Sequence, residues 1–224
     1  MNSVKFPKFS LLVQKIIFHE YPKTYFVGGA VRDFLLQRKF TDVDIATSAT
    51  PEQVKKILKF NKVKFSTSHE KFGVIVAHKG NSKVEISTFR TERYSNNRFP
   101  EVRFITSPKT DSNRRDFTIN AIYYNPCTGE ILDFHGGLED LKNQVIRLIG
   151  NGTKKLLEDP LRIIRAYRFQ IKLQFEFDSK TESVLKKYFT TTKNISKLRL
   201  EKEIKSLHNK ILINKLQKVM HSIY

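Results

Sequence analysis

Alternating apolar and polar positions mark the first half of the chain, and a helical spacing marks its last third. TYFVGG is a short β-rich run ending in paired glycines. AVRDFLLQ follows with helical spacing, placing Val31, Leu35 and Leu36 on one side. DVDIAT alternates as a strand. Thr50, Pro51 and Gln53 form a helix start: a capping hydroxyl, a proline at the first helical position and a glutamine completing a capping box. That helix carries QVKKILKF. Strands follow at GVIVAH and KVEISTFR. TERYSNNRFPEVRF reads as a polar loop ending in a strand, RRDFTINAIYY as a passage from helix to strand, and NPCTGE as a turn. No proline follows Pro160 and no glycine follows Gly152, the composition of a helical region starting near Thr153. The pattern predicts an α+β chain: a head with a mixed sheet and flanking helices, then an all-α part. The boundary falls in the glycine-interrupted stretch 135–152, giving domains 1–135 and 136–224.

Charge changes that picture from fold to partner. The 224 residues hold 41 Lys and Arg against 22 Asp and Glu, a formal net charge of +19. So large an excess argues against a generic small-metabolite enzyme. It points to a polyanion, nucleic acid first and an acidic membrane surface second. From residue 150 onward there are 17 Lys and Arg against 7 Asp and Glu, so the helical third is the more basic part. A single cysteine, Cys127, excludes intrachain disulfides and cysteine-rich zinc sites. The six histidines have no ligand spacing. No apolar run approaches the roughly 20 residues needed to span a bilayer. The first 20 residues are broken by Pro7 and by charges, and they read as mature, cytoplasmic protein.

The candidate chemistry lies in carboxylates. Asp42 and Asp44 are two apart on the strand DVDIAT, so they share a face while Val43 and Ile45 pack inward. Two adjacent ionised carboxylates repel, and a divalent cation between them removes the conflict. In VEIST, Glu85 likewise faces away from Val84 and Ile86. Three carboxylates on neighbouring strands are suited to Mg²⁺ and in-line phosphoryl transfer. Taken alone, an Asp-x-Asp pair is more often a solvated strand face. Gly28 and Gly29, between a strand and a helix a dozen residues earlier, make the arrangement more specific, because their N–H groups can approach a triphosphate closely.

GGAVRD, DVDIAT, RRDFTINA and EDPLRIIRAYRF, in this order, resemble the class II tRNA nucleotidyltransferase and bacterial poly(A) polymerase family. The resemblance runs from about Tyr25 to about Ser206. It implies a polymerase β-like nucleotidyltransferase head and a helical neck, with CTP and ATP as substrates, tRNA as acceptor and no membrane partner. Asp42 and Asp44 match the family's metal-binding aspartates, and Gly28, Gly29 and Arg32 its triphosphate cradle. Arg114, Arg115 and Asp116 match the ribose-positioning motif. Asp159 and Arg162 match the base-reading motif, with Arg165 and Arg168 continuing the helix toward phosphate. Glu85 as third catalytic carboxylate comes from strand geometry alone.

Asp159 and Arg162, three apart on one expected helix, would present an acceptor and donors together. Cytosine and adenine both offer an amino donor beside a ring-nitrogen acceptor, whereas uracil and guanine present the reverse. One Asp–Arg pair can therefore accept C and A while leaving buried groups unpaired against U and G. FSTSHEKFGVIVAH and the neck-like NISKLRLEKEIKSL favour the tRNA enzyme over a poly(A) polymerase, although NAIYYNP is shared with the latter. The nearly complete loop TERYSNNRFPEVRF favours CCA or terminal-A addition over CC-only addition. In it Arg93, Arg98 and Arg103 interleave with Tyr94, Phe99 and Phe104, a pattern for RNA stacking or for packing on the head. Lys186 and Lys187 are further candidate RNA contacts on the basic neck. Another class of reading is an RNA-binding module that has lost turnover. Relative to the family the body and tail domains are largely absent, which leaves the neck, a homodimer or a partner chain to grip the tRNA. The apolar stripe Ile211, Leu212, Leu216, Val219 and Met220 reads as core packing ahead of a dimer contact.

Overall fold

The computed structural model describes residues 4–94, 100–207 and 209–222, with only the backbone of 219, 221 and 222. The chain forms two compact units, Met1–Arg115 with Ile119–Gly137, and Asp116–Thr118 with Leu138–Tyr224.

The first unit opens with α1 (Lys8–Glu20), β1 (Thr24–Val27), α2 (Gly29–Leu35), β2 (Val43–Thr47) and α3 (Pro51–Phe60). It continues with β3 (Lys64–His69), β4 (Val74–Lys79), β5 (Ser82–Thr88), β6 (Arg90–Arg93), β7 (Glu101–Phe104), α4 (Pro108–Ser112), β8 (Ile122–Tyr124) and β9 (Ile131–Asp133). A seven-stranded mixed sheet runs β3-β4-β5-β2-β1-β8-β9. β2 and β5 are parallel, and the other neighbours are antiparallel.

Strand alternation gives the sheet two different faces. Val43, Ile45, Ile75, Ala77, Val84 and Ile86 are all buried on one of them. α1 and α3 pack on this sheet, burying Val13, Ile17, Val54, Ile57 and Leu58. The start of α3 has the expected form: Thr50 Oγ1 accepts the Gln53 N–H and the Gln53 side chain accepts the Thr50 N–H. On the second face a smaller cluster of Tyr25, Val27, Ala46, Phe89 and Tyr123 covers the β1, β2 and β8 region.

Some elements differ from the expectation. α1 occupies the terminal segment, with Pro7 as its N-cap. FSTSH is an additional edge strand, β3. The segment read as a loop begins as a strand, because β6 pairs with β7 from Arg90↔Phe104 to Arg93↔Glu101. Helix α4 ends before Arg114, and Arg114 to Asp116 form a turn and bend rather than helix, with Phe117 in a single antiparallel bridge to Leu148.

The second unit holds α5 (Gly137–Lys142), β10 (Val145–Ile146), α6 (Gly152–Glu158), α7 (Leu161–Leu173), β11 (Glu176–Phe177), α8 (Ser179–Tyr188), α9 (Lys197–Lys205) and α10 (Lys210–Ser222). Its core includes Leu156, Ile163, Ile164, Ala166, Phe169, Leu185 and Phe189. α10 packs on α7 through a face on which Leu216 and Met220 are buried, whereas Ile211 is 67% exposed and lies outside that core. The side chain of Val219 lies outside the described residues. Among the described residues no helix is long and apolar enough to cross a membrane.

Ionic clusters tie the elements of each unit together. In the first, fully buried Asp111 accepts Arg114 Nε at 2.8 Å, Arg115 Nη2 at 3.2 Å, the Tyr123 hydroxyl at 2.7 Å and the Arg90 N–H at 3.1 Å. Glu92 on β6 joins this cluster through Arg90 at 2.9 Å and Arg114 at 3.3 Å. In the second, Asp116 pairs with Arg165 at 2.6 Å, and Glu203 on α9 receives Arg165 at 3.2 Å and Arg168 at 3.1 Å. Burial alone would raise the Asp111 and Asp116 carboxyls. The guanidiniums of Arg115 and Arg114, and of Arg165, outweigh it and hold each at about 2.

A carboxyl held below its ordinary value contributes stability that is complete above that value and lost as pH falls toward the folded one. Each of these two contributes about 2 kcal/mol, lost between about pH 5 and pH 2. Urea midpoints of the wild type should therefore drop through that window. Asp111→Asn should be less stable at neutral pH and show a flatter pH profile; equal slopes for both proteins would contradict this assignment.

Candidate active site

The open side of the sheet is organised by register. Asp44 on β2 lies directly beside Glu85 on β5, and Val27 on β1 lies on its other side. Their flanking residues Val43, Ile45, Val84 and Ile86 are pinned in the core, so neither acid can rotate inward without turning its strand. Asp44 is accessible to solvent, yet its carboxyl is pushed up to about 6. Crowding by surrounding protein is the largest cause, followed by the negative charge of Glu85. Arg115 lowers it and Asp42 raises it again.

Asp42 departs from the expectation. It precedes β2 rather than lying in it, its side chain is 73% exposed, and Lys83 Nζ stands 3.9 Å from Oδ1. Its charge still reaches Asp44. All the donors here are hard oxygens, the set that suits Mg²⁺ and not a soft metal. The like charges of Glu85 and Asp42 around Asp44 are what a divalent cation would relieve, so these residues fit one. Among the described residues, no group of three or more His, Cys, Asp and Glu side chains could hold a metal ion.

The paired glycines come to the same place. Gly28 has φ +81°, a conformation that side chains rarely adopt, and a Cβ there would lie 3.4 Å from Asp44 Oδ2. Backbone and carboxylate thus approach each other closely. Arg32 is buried and turned toward the protein, with Nε to Asp33 Oδ1 at 2.8 Å and Nη1 to Asn120 Oδ1 at 2.7 Å. These contacts brace the turn that carries the glycines. Arg115 donates Nε to the Tyr123 hydroxyl at 2.9 Å, is held by Asp111, and acts electrostatically on Asp44. Arg114 is held by Asp111 and Glu92.

In the second unit the base-reading candidates have a different arrangement from the one expected. Pro160 disfavours helix at the residue before it, and Asp159 adopts extended φ −148°, ψ 96°, ending α6. Arg162 then belongs to the first turn of α7. The two are therefore not three apart on one helix. Asp159 receives Arg199 Nη2 at 2.9 Å and 3.0 Å. Arg162 is buried and donates Nη1 to the Lys155 carbonyl at 2.8 Å, with Glu158 at 3.5 Å. Asp116, Arg165 and Arg168, the ribose and phosphate candidates, form an ion cluster with Glu203, and Arg168 Nη1 also donates to Ser206 Oγ at 2.5 Å.

Of the RNA-contact candidates, Arg93 is exposed at the end of β6. Lys186 is exposed and paired with Glu182 at 2.6 Å, and Lys187 lies over the Tyr188 ring. Arg98 and Phe99 lie outside the described residues, as does His208. Phe104 packs over Gly73, where a Cβ would come within 2.6 Å of its ring, and Tyr94 donates its hydroxyl to Glu92. Asp111, Glu92, Arg199 and Glu203 were not singled out in the sequence. Arg199 meets Asp159 and Glu203 meets Arg165 from 40 and 38 residues away, separations that no local spacing signals, whereas Asp111 lies only three and four residues before Arg114 and Arg115.

Comparison with known proteins gives this geometry a family. Residues 24–147 match the family model described as Poly A polymerase head domain. The chain is 43% identical over 183 residues to the CCA-adding enzyme of Lactobacillus helveticus (strain DPC 4571), covering 81% of this chain and 45% of that protein. The crystal structure of the Bacillus stearothermophilus CCA-adding enzyme in complex with CTP matches with a TM-score of 0.79 and 37% identity, covering 91% of this chain and 49% of that one. A tRNA nucleotidyltransferase complexed with a primer tRNA and an incoming ATP analog matches at 0.75 and 32%, covering 94% and 60%. The chain spans about half the length of the curated relatives it matches. With this family model over residues 24–147 and these relatives, the chain belongs to the class II tRNA nucleotidyltransferase and bacterial poly(A) polymerase family.

Proposed function

We propose that the protein transfers CMP and AMP from CTP and ATP to the 3′ end of tRNA without a nucleic-acid template, in the cytoplasm. The observation that carries this reading is the placement of Asp44 between Glu85 and the close backbone of Gly28. In this reading residues 1–135 perform the transfer and 136–224 select the base. The 3′-oxygen of the RNA attacks the α-phosphorus of the nucleotide. A new P–O bond forms as the bond to the β-phosphate breaks, and pyrophosphate leaves. Gly28 and Gly29 admit the triphosphate next to Asp44. Arg32 braces that turn. Glu85, on the neighbouring strand, takes the proton of the 3′-hydroxyl.

Asp42 and Asp44 would hold Mg²⁺, which supplies charge neutralisation at the phosphate oxygens and favours ionisation of the attacking hydroxyl. Mg²⁺ is commonly bound by one or two carboxylates together with substrate phosphates, so a third protein ligand is not required. Arg115 adds positive charge beside Asp44. For base choice, Asp159 offers acceptor oxygens and Arg162 donors. Arg199, which holds Asp159, joins them as the residue that aims the carboxylate.

Incubation of the purified chain with Mg²⁺, labelled CTP or ATP, and tRNAs ending before CCA, CA or A should give CMP and AMP incorporation that stops at CCA. Long A tracts would instead indicate a poly(A) polymerase, and no incorporation an RNA-binding module. Asp44→Asn should lower transfer by about 10³-fold with an unchanged circular dichroism spectrum; retained activity would remove the catalytic assignment. Asp159→Ala should erode discrimination against UTP, which in the wild type is of order 10⁴. Unchanged UTP rejection would place base selection elsewhere. RNA affinity should fall steeply between about 50 mM and 200 mM salt, read by fluorescence anisotropy. A flat salt profile would contradict an electrostatic grip.

A further inference from the structure

The second face of the sheet is covered only in part. The cluster of Tyr25, Val27, Ala46, Phe89 and Tyr123 lies over β1, β2 and β8. Beyond Glu85 the face continues over β5, β4 and β3. Register places Lys83, His78 and Lys64 in one row across those three strands, because Lys83 pairs with His78 and His78 with Lys64. Directly opposed residues share a face, and strands are about 4.8 Å apart, so the row extends about 10 Å from Lys83 to the sheet edge. The next row on the same face is Asp44, Glu85, Val76 and Ser66. This row, with lysines at both ends, therefore runs beside the acids and away from them. Lys83 is 54% exposed, Lys64 is exposed, and half-buried His78 is hydrogen-bonded to Ser66 Oγ at 3.0 Å.

In-line displacement fixes what can lie there. The attacking and leaving oxygens sit on opposite sides of the phosphorus. Gly28, at the end of β1, places the triphosphate on one side of Asp44, so the attacking strand must approach from the β5 side. We infer that the face over β5, β4 and β3, marked by Lys83, His78 and Lys64, is the track for the backbone phosphates next to the 3′ end of the acceptor RNA. This inference rests on the reading of Gly28 and Asp44 as the nucleotide site. Its occupant is a single-stranded polyanion, by charge complementarity. Apolar residues that would mark a protein partner are few in the row, and its neighbour Glu85 would repel an acidic peptide no less than RNA, so the deciding feature is the direction of attack.

The test uses the full chain and a fluorescein-labelled tRNA transcript lacking its terminal CCA. Lys64→Glu stands outside the acid cluster, and Lys83→Gln removes the second cation without adding a charge near Asp42. Lys15→Glu, on α1 against the opposite face, is the control for general charge. The Lys64→Glu/Lys83→Gln double variant should weaken RNA affinity about tenfold. It should also flatten the slope of log affinity against log salt by about 0.7 per lost phosphate contact. The KM for tRNA should rise, and in Lys64→Glu alone the KM for CTP should stay unchanged. Affinity and salt slope equal to those of Lys15→Glu would overturn the track. Transfer that proceeds with an RNA affinity indifferent to Lys64 and Lys83 overturns the track alone. Loss of RNA affinity in the double variant of a chain that transfers no nucleotide would overturn the track as the approach to a reacting 3′ end, together with the enzymatic reading.

Discussion

The parallel pairing of β2 with β5 holds two acids side by side on a face from which neither can turn away. Val43, Ile45, Val84 and Ile86 anchor both strands in the core, so the hydrophobic effect on one face imposes an electrostatic conflict on the other. Burying those four apolar side chains is worth on the order of 1.5–3 kcal/mol each. That is ample to outweigh the repulsion expressed in the raised Asp44 carboxyl. The rest of the head can be read as serving this conflict: a glycine that lets backbone approach the acid, a buried arginine that braces the glycine turn, and an arginine that offsets part of the charge.

The supporting charges are arranged with economy. Asp111 receives two guanidiniums, a phenol and a backbone N–H, and so connects α4, β6 and β8 to the residue beside Asp44. In the helical unit, Glu203 and Asp116 perform a similar office for Arg165 and Arg168. Buried ion pairs of this kind contribute modest net stability. Removing one partner is costly because the other is left uncompensated. Their value lies in fixing the orientation of the side chains they hold.

Much of this was legible in the chain itself. Period-two alternation placed Glu85 opposite Val84 and Ile86, and the Thr50–Pro51–Gln53 signature became a capping box in full. Asp44 behaved as alternation required, while Asp42 fell just outside the strand because pairing begins at Val43. The helical expectation for Asp159 and Arg162 failed for a local reason that was present in the sequence: a proline between them. Arg165 and Arg168 could not be placed by spacing, since Asp116 and Glu203 reach Arg165 from 49 and 38 residues away and Ser206 reaches Arg168 from 38. Polar composition hid β6, whose Arg90 and Glu92 point to partners on its own side of the hairpin stem and on α4. Sequence pattern thus carries what the strand and helix periods determine, and loses what distant ion pairs decide.

The most direct measurement is a crystal structure of this chain soaked with CTP and Mn²⁺, using the anomalous signal of the manganese. The account places a manganese peak at the Asp42 and Asp44 carboxylates and the triphosphate against the backbone of Gly28 and Gly29. A triphosphate or metal peak on any other surface, with those carboxylates untouched, would contradict it.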